Sequence, residues 1–125
     1  MDKPDAIIVD RDGTLASVEY IRPDAQDKLP KTRAEKDAIK AQWAAFNAAL
    51  PFDAPVPAVV EMLDAVPQDV KIIVVSGRME GDYPGDRHRR RQVLDWLHKH
   101  DIPFNRLFMR SGGDQRKDSI VKEEI

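Results

Sequence analysis

The residues with the clearest chemical potential lie in the segment 7–15, which reads IIVDRDGTL. Asp10 and Asp12 come directly after a short apolar, β-branched run, and Gly13 follows them. Carboxylates at positions i and i+2 of a strand end point the same way, and a glycine then lets the backbone turn sharply. Such a pair can hold a divalent cation, with one carboxylate attacking phosphorus and the other moving protons. The alternative is an ordinary acidic turn between a strand and a loop.

A second set of polar residues follows a second apolar run. Residues 71–75 (KIIVV) read as another buried strand, and Ser76, Gly77 and Arg78 come next. Parallel strands end at the same edge of a sheet, where open α/β sheets bind ligands, so we expect these side chains to lie near the two aspartates. A serine at a strand end is also a common turn or helix cap, so Ser76 alone would indicate little.

The elements around these strands predict an α/β fold. A capping-box pattern at residues 32–35, followed by apolar residues at helical spacing, predicts an amphipathic helix. The order of elements predicts a doubly wound parallel sheet in a single domain, with residues 17–56 as a small helical insertion after the first strand. The predicted elements are helices over 32–50, from near Pro57, over 86–100 and from near Asp118, and strands at 6–9, 71–75 and 107–109. In the helix over 86–100, helical spacing predicts that Val93, Trp96 and Leu97 face inward.

The composition predicts an ordinary soluble domain. The chain has 125 residues, 34% of them charged, and a formal net charge of -2, so bulk charge does not indicate nucleic-acid binding. An anion site must therefore be local, and the basic run at 87–91 is a candidate, with a solvated helix face as the alternative. The absence of cysteine and of any apolar run long enough for a signal or a membrane span predicts a cytoplasmic protein.

The two polar segments resemble known phosphatase motifs. Residues 10–15 (DRDGTL) resemble motif I of the haloacid-dehalogenase superfamily, and the strand followed by Ser-Gly-Arg at 76–78 resembles motif II. Together with 109–118 and 121–125, these segments are similar to the phosphatase domain of phage-type polynucleotide kinase/phosphatases, over nearly the whole chain. The resemblance implies a Rossmann-like fold of the haloacid-dehalogenase type and a Mg²⁺-dependent phosphomonoesterase.

The resemblance also implies roles for individual residues. Asp10 would form an aspartyl-phosphate, and Asp12 would protonate the leaving alcohol and then activate water, with both aspartates also binding Mg²⁺. Ser76 and Lys122 would complete the catalytic set by neutralising the phosphoryl group. Lys122 follows Asp118 by four residues, so on a helix Asp118 could orient its ammonium, although a plain surface ion pair has the same spacing. The residues expected to bind substrate are Thr14, Gly77, Arg78, Arg22 and Asp118.

Two departures from the superfamily pattern bear on these expectations. The acids of motif IV would lie beyond Ile125, so we expect a truncated chain, a site completed by a partner chain or a second copy, or a loss of catalysis. Arg11 stands where most members carry an apolar residue; Asp-Arg-Asp-Gly also occurs in the histidinol-phosphate and heptose-bisphosphate phosphatase branches. Members of those branches often carry a cysteine-rich zinc loop, which this sequence lacks.

Three functions follow as alternatives. The resemblance favours a polynucleotide or nucleotide 3′-phosphatase, whose partner would be a phosphorylated nucleic-acid end or a nucleotide. A phosphatase of a small phosphorylated metabolite would use the same motifs. A non-catalytic phosphate-binding or assembly module would explain the missing motif IV. Of these three, we expect the 3′-phosphatase.

Overall fold

The fold is α/β and is built around a three-stranded parallel sheet, which confirms the predicted class. The computed structural model describes residues 4–18 and 32–112. In chain order the elements are β1 (Ala6–Asp10), β2 (Ala16–Ser17), α1 (Arg33–Ala48), a 3-10 turn (Leu50–Phe52), β3 (Ala54–Pro55), α2 (Pro57–Asp64), β4 (Lys71–Met79), α3 (His88–Lys99) and β5 (Arg106–Arg110). The order in the sheet is β1-β4-β5, so β4 lies between the other two strands.

The core forms where the apolar strands meet the helices. Val9 of β1 pairs in register with Val74 of β4, and both are buried. From α3, the predicted inward residues Val93, Trp96 and Leu97 are all buried. Burial of each large apolar side chain stabilises the folded state by about 1.5–3 kcal/mol. The packing of these strands against α3 therefore fixes the positions of the residues at the strand ends.

The helices begin and end close to the predicted positions. The Oγ1 of Thr32 accepts a hydrogen bond from the Glu35 N–H at 3.1 Å, which caps α1 as the sequence pattern predicts. Helix α1 ends at Ala48, and the 3-10 turn that contains Pro51 follows it, because proline cannot continue an α-helix. Proline opens α2 at Pro57, where its missing N–H costs nothing.

The ends of the segment 17–56 lie side by side. Strands β2 and β3 pair antiparallel, with Ala16 opposite Pro55 and Ser17 opposite Ala54. The description of this segment as an insertion stays a prediction. The helix predicted from near Asp118 lies outside the described residues, and among those residues no helix is long and apolar enough to cross a membrane.

Strand β4 is longer than the sequence predicts. We expected the strand to end at Val75, whereas it continues to Met79 with an irregularity between Ser76 and Met79. The extension follows from pairing with β5, where Ser76 lies opposite Met109 and Met79 opposite Arg110. The Ser-Gly-Arg segment therefore belongs to a buried central strand rather than to a loop.

Candidate active site

Asp10 lies at the carboxyl end of β1, where the backbone begins a tight turn. The Arg11 N–H donates to the carbonyl of Val75 at 2.9 Å and so extends the pairing with β4. The Leu15 N–H then donates back to the Asp10 carbonyl at 3.2 Å. Gly13 has a φ of 81°, a left-handed conformation that glycine adopts without the strain imposed on other residues. The turn leaves Asp10 exposed at the edge of the sheet.

Asp12 turns its carboxylate inward, toward β4. Its Oδ2 accepts from the Ser76 hydroxyl at 3.0 Å, and its Oδ1 accepts from Arg78 Nε at 3.2 Å and from Arg11 Nη1 at 2.7 Å. Burial alone would raise the pKa of the Asp12 carboxyl, but the charges of Arg78 and Arg11 and the hydrogen bonds from Arg78 and Ser76 lower it overall. Asp12 is therefore a carboxylate at neutral pH.

Arg78 is fixed from several sides. Its side chain is only 1% exposed, and its guanidinium stacks over the Phe46 ring at 3.7 Å and donates from Nη1 to the Phe46 carbonyl at 3.1 Å. The Arg78 N–H donates to Ser76 Oγ at 3.2 Å, so the serine hydroxyl joins the Arg78 backbone to Asp12. In this arrangement the guanidinium faces Asp12, and its role as a clamp for substrate phosphate stays a prediction.

Arg11 has no exposed side-chain surface and continues the same network. Its guanidinium lies 4.3 Å from the centre of the Trp96 ring. Nη1 bonds Asp53 at 3.1 Å as well as Asp12, and Nη2 donates to the Leu50 carbonyl at 3.2 Å. Burial raises the pKa of the Asp53 carboxyl, although Arg11 and Arg78 oppose that shift. We call Arg11, Asp12, Asp53 and Arg78 the buried charge cluster.

Asp53 and Phe46 also belong to the site, although neither was predicted as a site residue from the sequence. Asp53 follows the 3-10 turn and lies 42 residues from Arg11, and Phe46 belongs to α1. The sequence contains one signal that could have indicated Asp53: Arg11 directly follows a predicted buried strand, and a buried guanidinium needs an anion beside it. An acid within the apolar segment 50–56 could have supplied that anion.

The structure brings some of the predicted residues together and leaves others apart. Asp12, Ser76 and Arg78 are in direct contact, and Asp10 lies at the same edge because it pairs with Val75. Thr14 lies exposed in the turn after β1, and Gly77 is buried in β4. The predicted Arg22, Asp118 and Lys122 lie outside the described residues.

The basic run at 87–91 is only partly available to a ligand. Arg89 is buried and donates to the Met79 carbonyl at 2.9 Å and to the Asp82 carboxylate at 2.7 Å. Arg90 donates to the Leu107 carbonyl at 2.9 Å. Arg89 therefore joins α3 to the end of β4 and the loop after it, and Arg90 joins α3 to β5, whereas Arg87 and Arg91 are exposed.

The fold and the site together define an α/β protein of the haloacid-dehalogenase type, with the Asp-x-Asp motif beside the Ser-Gly-Arg strand. Residues 4–125 match the family described as the polynucleotide kinase PNKP phosphatase domain. The chain belongs to that family, which confirms the resemblance seen in the sequence.

Solved structures agree with this assignment. A chain of the Pnkp1/Rnl/Hen1 complex is 27% identical, with a TM-score of 0.58, over 95% of this chain and 32% of that one. A chain of a Pnkp1/Rnl/Hen1 RNA repair complex is 26% identical, with a TM-score of 0.59, over 95% of this chain and 30% of that one. This chain therefore spans about a third of the length of the structures it matches.

Proposed function

We propose that this protein is a phosphomonoesterase that removes the 3′-phosphate from a polynucleotide end or a nucleotide, with Asp10 as the nucleophile. One observation carries the proposal: Asp10 is exposed at the carboxyl edge of the sheet, next to an Asp12 carboxylate fixed by Ser76 and Arg78. A nucleophile must be reachable, and the group that moves protons must be held in one orientation. The site combines both properties, in a chain of a phosphatase-domain family.

The reaction would proceed in two displacements. An Asp10 oxygen attacks phosphorus, the bond to the ester oxygen breaks, and the departing 3′-oxygen takes a proton from Asp12 to become the 3′-hydroxyl. Water then gives a proton to Asp12 and attacks the aspartyl-phosphate, which releases inorganic phosphate and restores the Asp10 carboxylate. Asp12 is ionised beside its two arginines, so it must gain a proton first; an incoming phosphate dianion favours this because like charges raise a pKa.

The remaining predicted residues would act on the phosphoryl oxygens. Ser76, Lys122 and Arg78 would neutralise the charge that develops there, with Asp118 orienting Lys122. Thr14, Gly77 and Arg22 would contribute to substrate binding.

Mg²⁺ fits the chemistry of the exposed strand end. Proteins hold this ion through one or two carboxylates together with water and phosphate oxygens, and Asp10 offers such an oxygen at the open edge. Asp12 is the second predicted ligand, although its carboxylate already accepts bonds from Arg11, Arg78 and Ser76. When bound, Mg²⁺ would supply positive charge to the transferring phosphoryl group.

The family and the exposed arginines support a polynucleotide substrate. Arg87 and Arg91 lie at the start of α3, which follows the strand that carries Ser76. Arg87 and Arg91 would bind phosphates of the polynucleotide other than the one that reacts. The contribution of these contacts to affinity would fall as the salt concentration rises.

The test is phosphate release from a 3′-phosphorylated oligonucleotide in the presence of Mg²⁺. We expect turnover by the wild-type chain, none by Asp10→Asn, and wild-type turnover by Asp5→Asn, a control at an exposed carboxylate before β1. In a competition assay, a 3′-phosphorylated oligonucleotide should inhibit turnover more strongly than the corresponding mononucleotide, with an advantage that shrinks as salt is added. Equal inhibition by the two at every salt concentration would favour the metabolite phosphatase. Absence of turnover by the wild-type chain would contradict the proposal and favour the binding module.

A further inference from the structure

Asp53 is buried in the site without belonging to any motif. Its side chain is 2% exposed, and its Oδ2 lies 3.1 Å from Arg11 Nη1 and 3.7 Å from Arg78 Nη2. The Asp53 carbonyl accepts from the Trp96 Nε1–H at 2.8 Å, which fixes the backbone at this position. The residue therefore faces the two arginines that contact Asp12.

The charges of the buried charge cluster balance only when Asp53 is counted. Two guanidiniums and two carboxylates are enclosed together, and burial makes an unpaired charge costly. Without Asp53, both arginines would face the Asp12 carboxylate alone. The two guanidiniums would then move toward Asp12, or water would enter beside them. Either change would alter the position of the Asp12 carboxylate.

The distances show how Asp53 can act on Asp12 through the two arginines. Arg11 Nη1 lies between Asp53 at 3.1 Å and Asp12 Oδ1 at 2.7 Å, so a single nitrogen joins the two carboxylates. Arg78 Nη2 lies between the same two groups, 3.1 Å from Asp12 and 3.7 Å from Asp53. Asp53 thus accepts a hydrogen bond from Arg11 and lies within ion-pair distance of Arg78, and both guanidiniums also contact Asp12.

We propose that Asp53 is a positioning residue, which holds Asp12 in its working orientation through Arg11 and Arg78 and makes no contact with substrate. The inference rests on the proposed function, because Asp12 must transfer protons for its orientation to matter. Asp53 stands between the 3-10 turn and β3, within the segment 17–56. That segment therefore contributes directly to the geometry of the site.

The first experiment compares Asp53→Asn with Asp95→Asn, a control at an exposed carboxylate of α3. Asparagine keeps the shape of the side chain and removes its charge. We expect Asp53→Asn to lower kcat at least tenfold on a 3′-phosphorylated oligonucleotide, with KM changed less than about twofold. Asp95→Asn should leave both constants unchanged. An Asp53→Asn protein with wild-type kcat would overturn the proposal.

A double-mutant cycle separates positioning from a general loss of structure. If Asp53 acts through Arg11, the losses of kcat in Asp53→Asn and Arg11→Met will not add in the double variant. The double variant removes one buried charge of each sign, so it can be compared with Arg11→Met even if Asp53→Asn alone does not fold: an equal kcat in these two proteins is then the expected result, and a lower kcat in the double variant would overturn the proposal. Additive losses of kcat would overturn the proposal.

A spectroscopic measurement distinguishes failure of this inference from failure of the proposed function. The Arg78 Nε–H donates to Asp12 at 3.2 Å, and its NMR resonance can be identified by its loss in Arg78→Lys. Exchange of this proton with solvent should be at least tenfold faster in Asp53→Asn than in the wild type, whether or not the protein turns over substrate. Unchanged exchange would refute the role of Asp53 even in an active enzyme.

Discussion

Replacement of Arg78 by lysine tests whether the buried contacts of this arginine stabilise the fold or whether the residue serves only to bind substrate phosphate. Lysine keeps the charge but lacks the planar fork, so it can retain a bond to Asp12 but not the full set of contacts. It loses the Nη1 bond to the Phe46 carbonyl and the stacking over the Phe46 ring. A bond from a charged donor contributes about 1.5–3 kcal/mol, and a desolvated cation–π contact contributes about 1–2 kcal/mol.

We therefore expect Arg78→Lys to lower the free energy of unfolding by about 3 kcal/mol, equivalent to a decrease in Tm of about 10 °C for a chain of this size. The assay is urea unfolding at pH 7, with Arg87→Lys as the matched control, because Arg87 is 66% exposed. The control should differ from the wild type by less than about 0.5 kcal/mol. If the two variants unfold at the same urea concentration, the buried contacts of Arg78 contribute nothing and the reasoning is refuted.

Two further predictions concern the loop between β4 and α3. The Asp86 carboxylate accepts from the Asp82 N–H at 2.9 Å and is bonded to His88 at 2.7 Å, and its pKa is lowered to about 2. Its stabilisation is therefore complete above the ordinary value of 3.8 and is lost as the pH falls through about 2. Asp86→Asn should unfold at lower urea than the wild type at pH 7, and this difference should shrink as the pH falls from 4 toward 2; a constant difference would contradict this. A Cβ at Gly81 would overlap the Asp86 carbonyl, whereas one at Gly85 meets open space at a φ of 88°. Gly81→Ala should therefore lower the free energy of unfolding by about 3 kcal/mol and Gly85→Ala by about 1–2 kcal/mol. A larger loss in Gly85→Ala than in Gly81→Ala, measured by urea unfolding, would contradict this loop geometry.

Much of the fold could be predicted because its signals are local. Runs of β-branched residues predicted strands at 6–9 and 71–75, and helical spacing identified Val93, Trp96 and Leu97 as core residues. The end of β4 could not be predicted, because its extension to Met79 depends on pairing with Arg110, a residue distant in sequence.

The site was predictable only where its residues belong to motifs. Asp12, Ser76 and Arg78 were expected to meet because parallel strands end at one edge of the sheet. The contact between Arg11 and Asp53 joins residues 42 positions apart, and no local pattern specifies it. Arg11 was noticed as a departure from the superfamily pattern, and the structure gives the physical reason that it is tolerated: it is paired with Asp53 and stacked on Trp96.

Trapping of the covalent intermediate tests most directly the claim that Asp10 is the nucleophile. Hydroxylamine added during turnover of a 3′-phosphorylated oligonucleotide attacks an aspartyl-phosphate and leaves a hydroxamate, which mass spectrometry can assign to one residue. We expect the hydroxamate on Asp10, none in the Asp10→Asn protein, and none when substrate is omitted. Release of phosphate with no hydroxamate on Asp10, or with the hydroxamate on Asp12, would contradict the account.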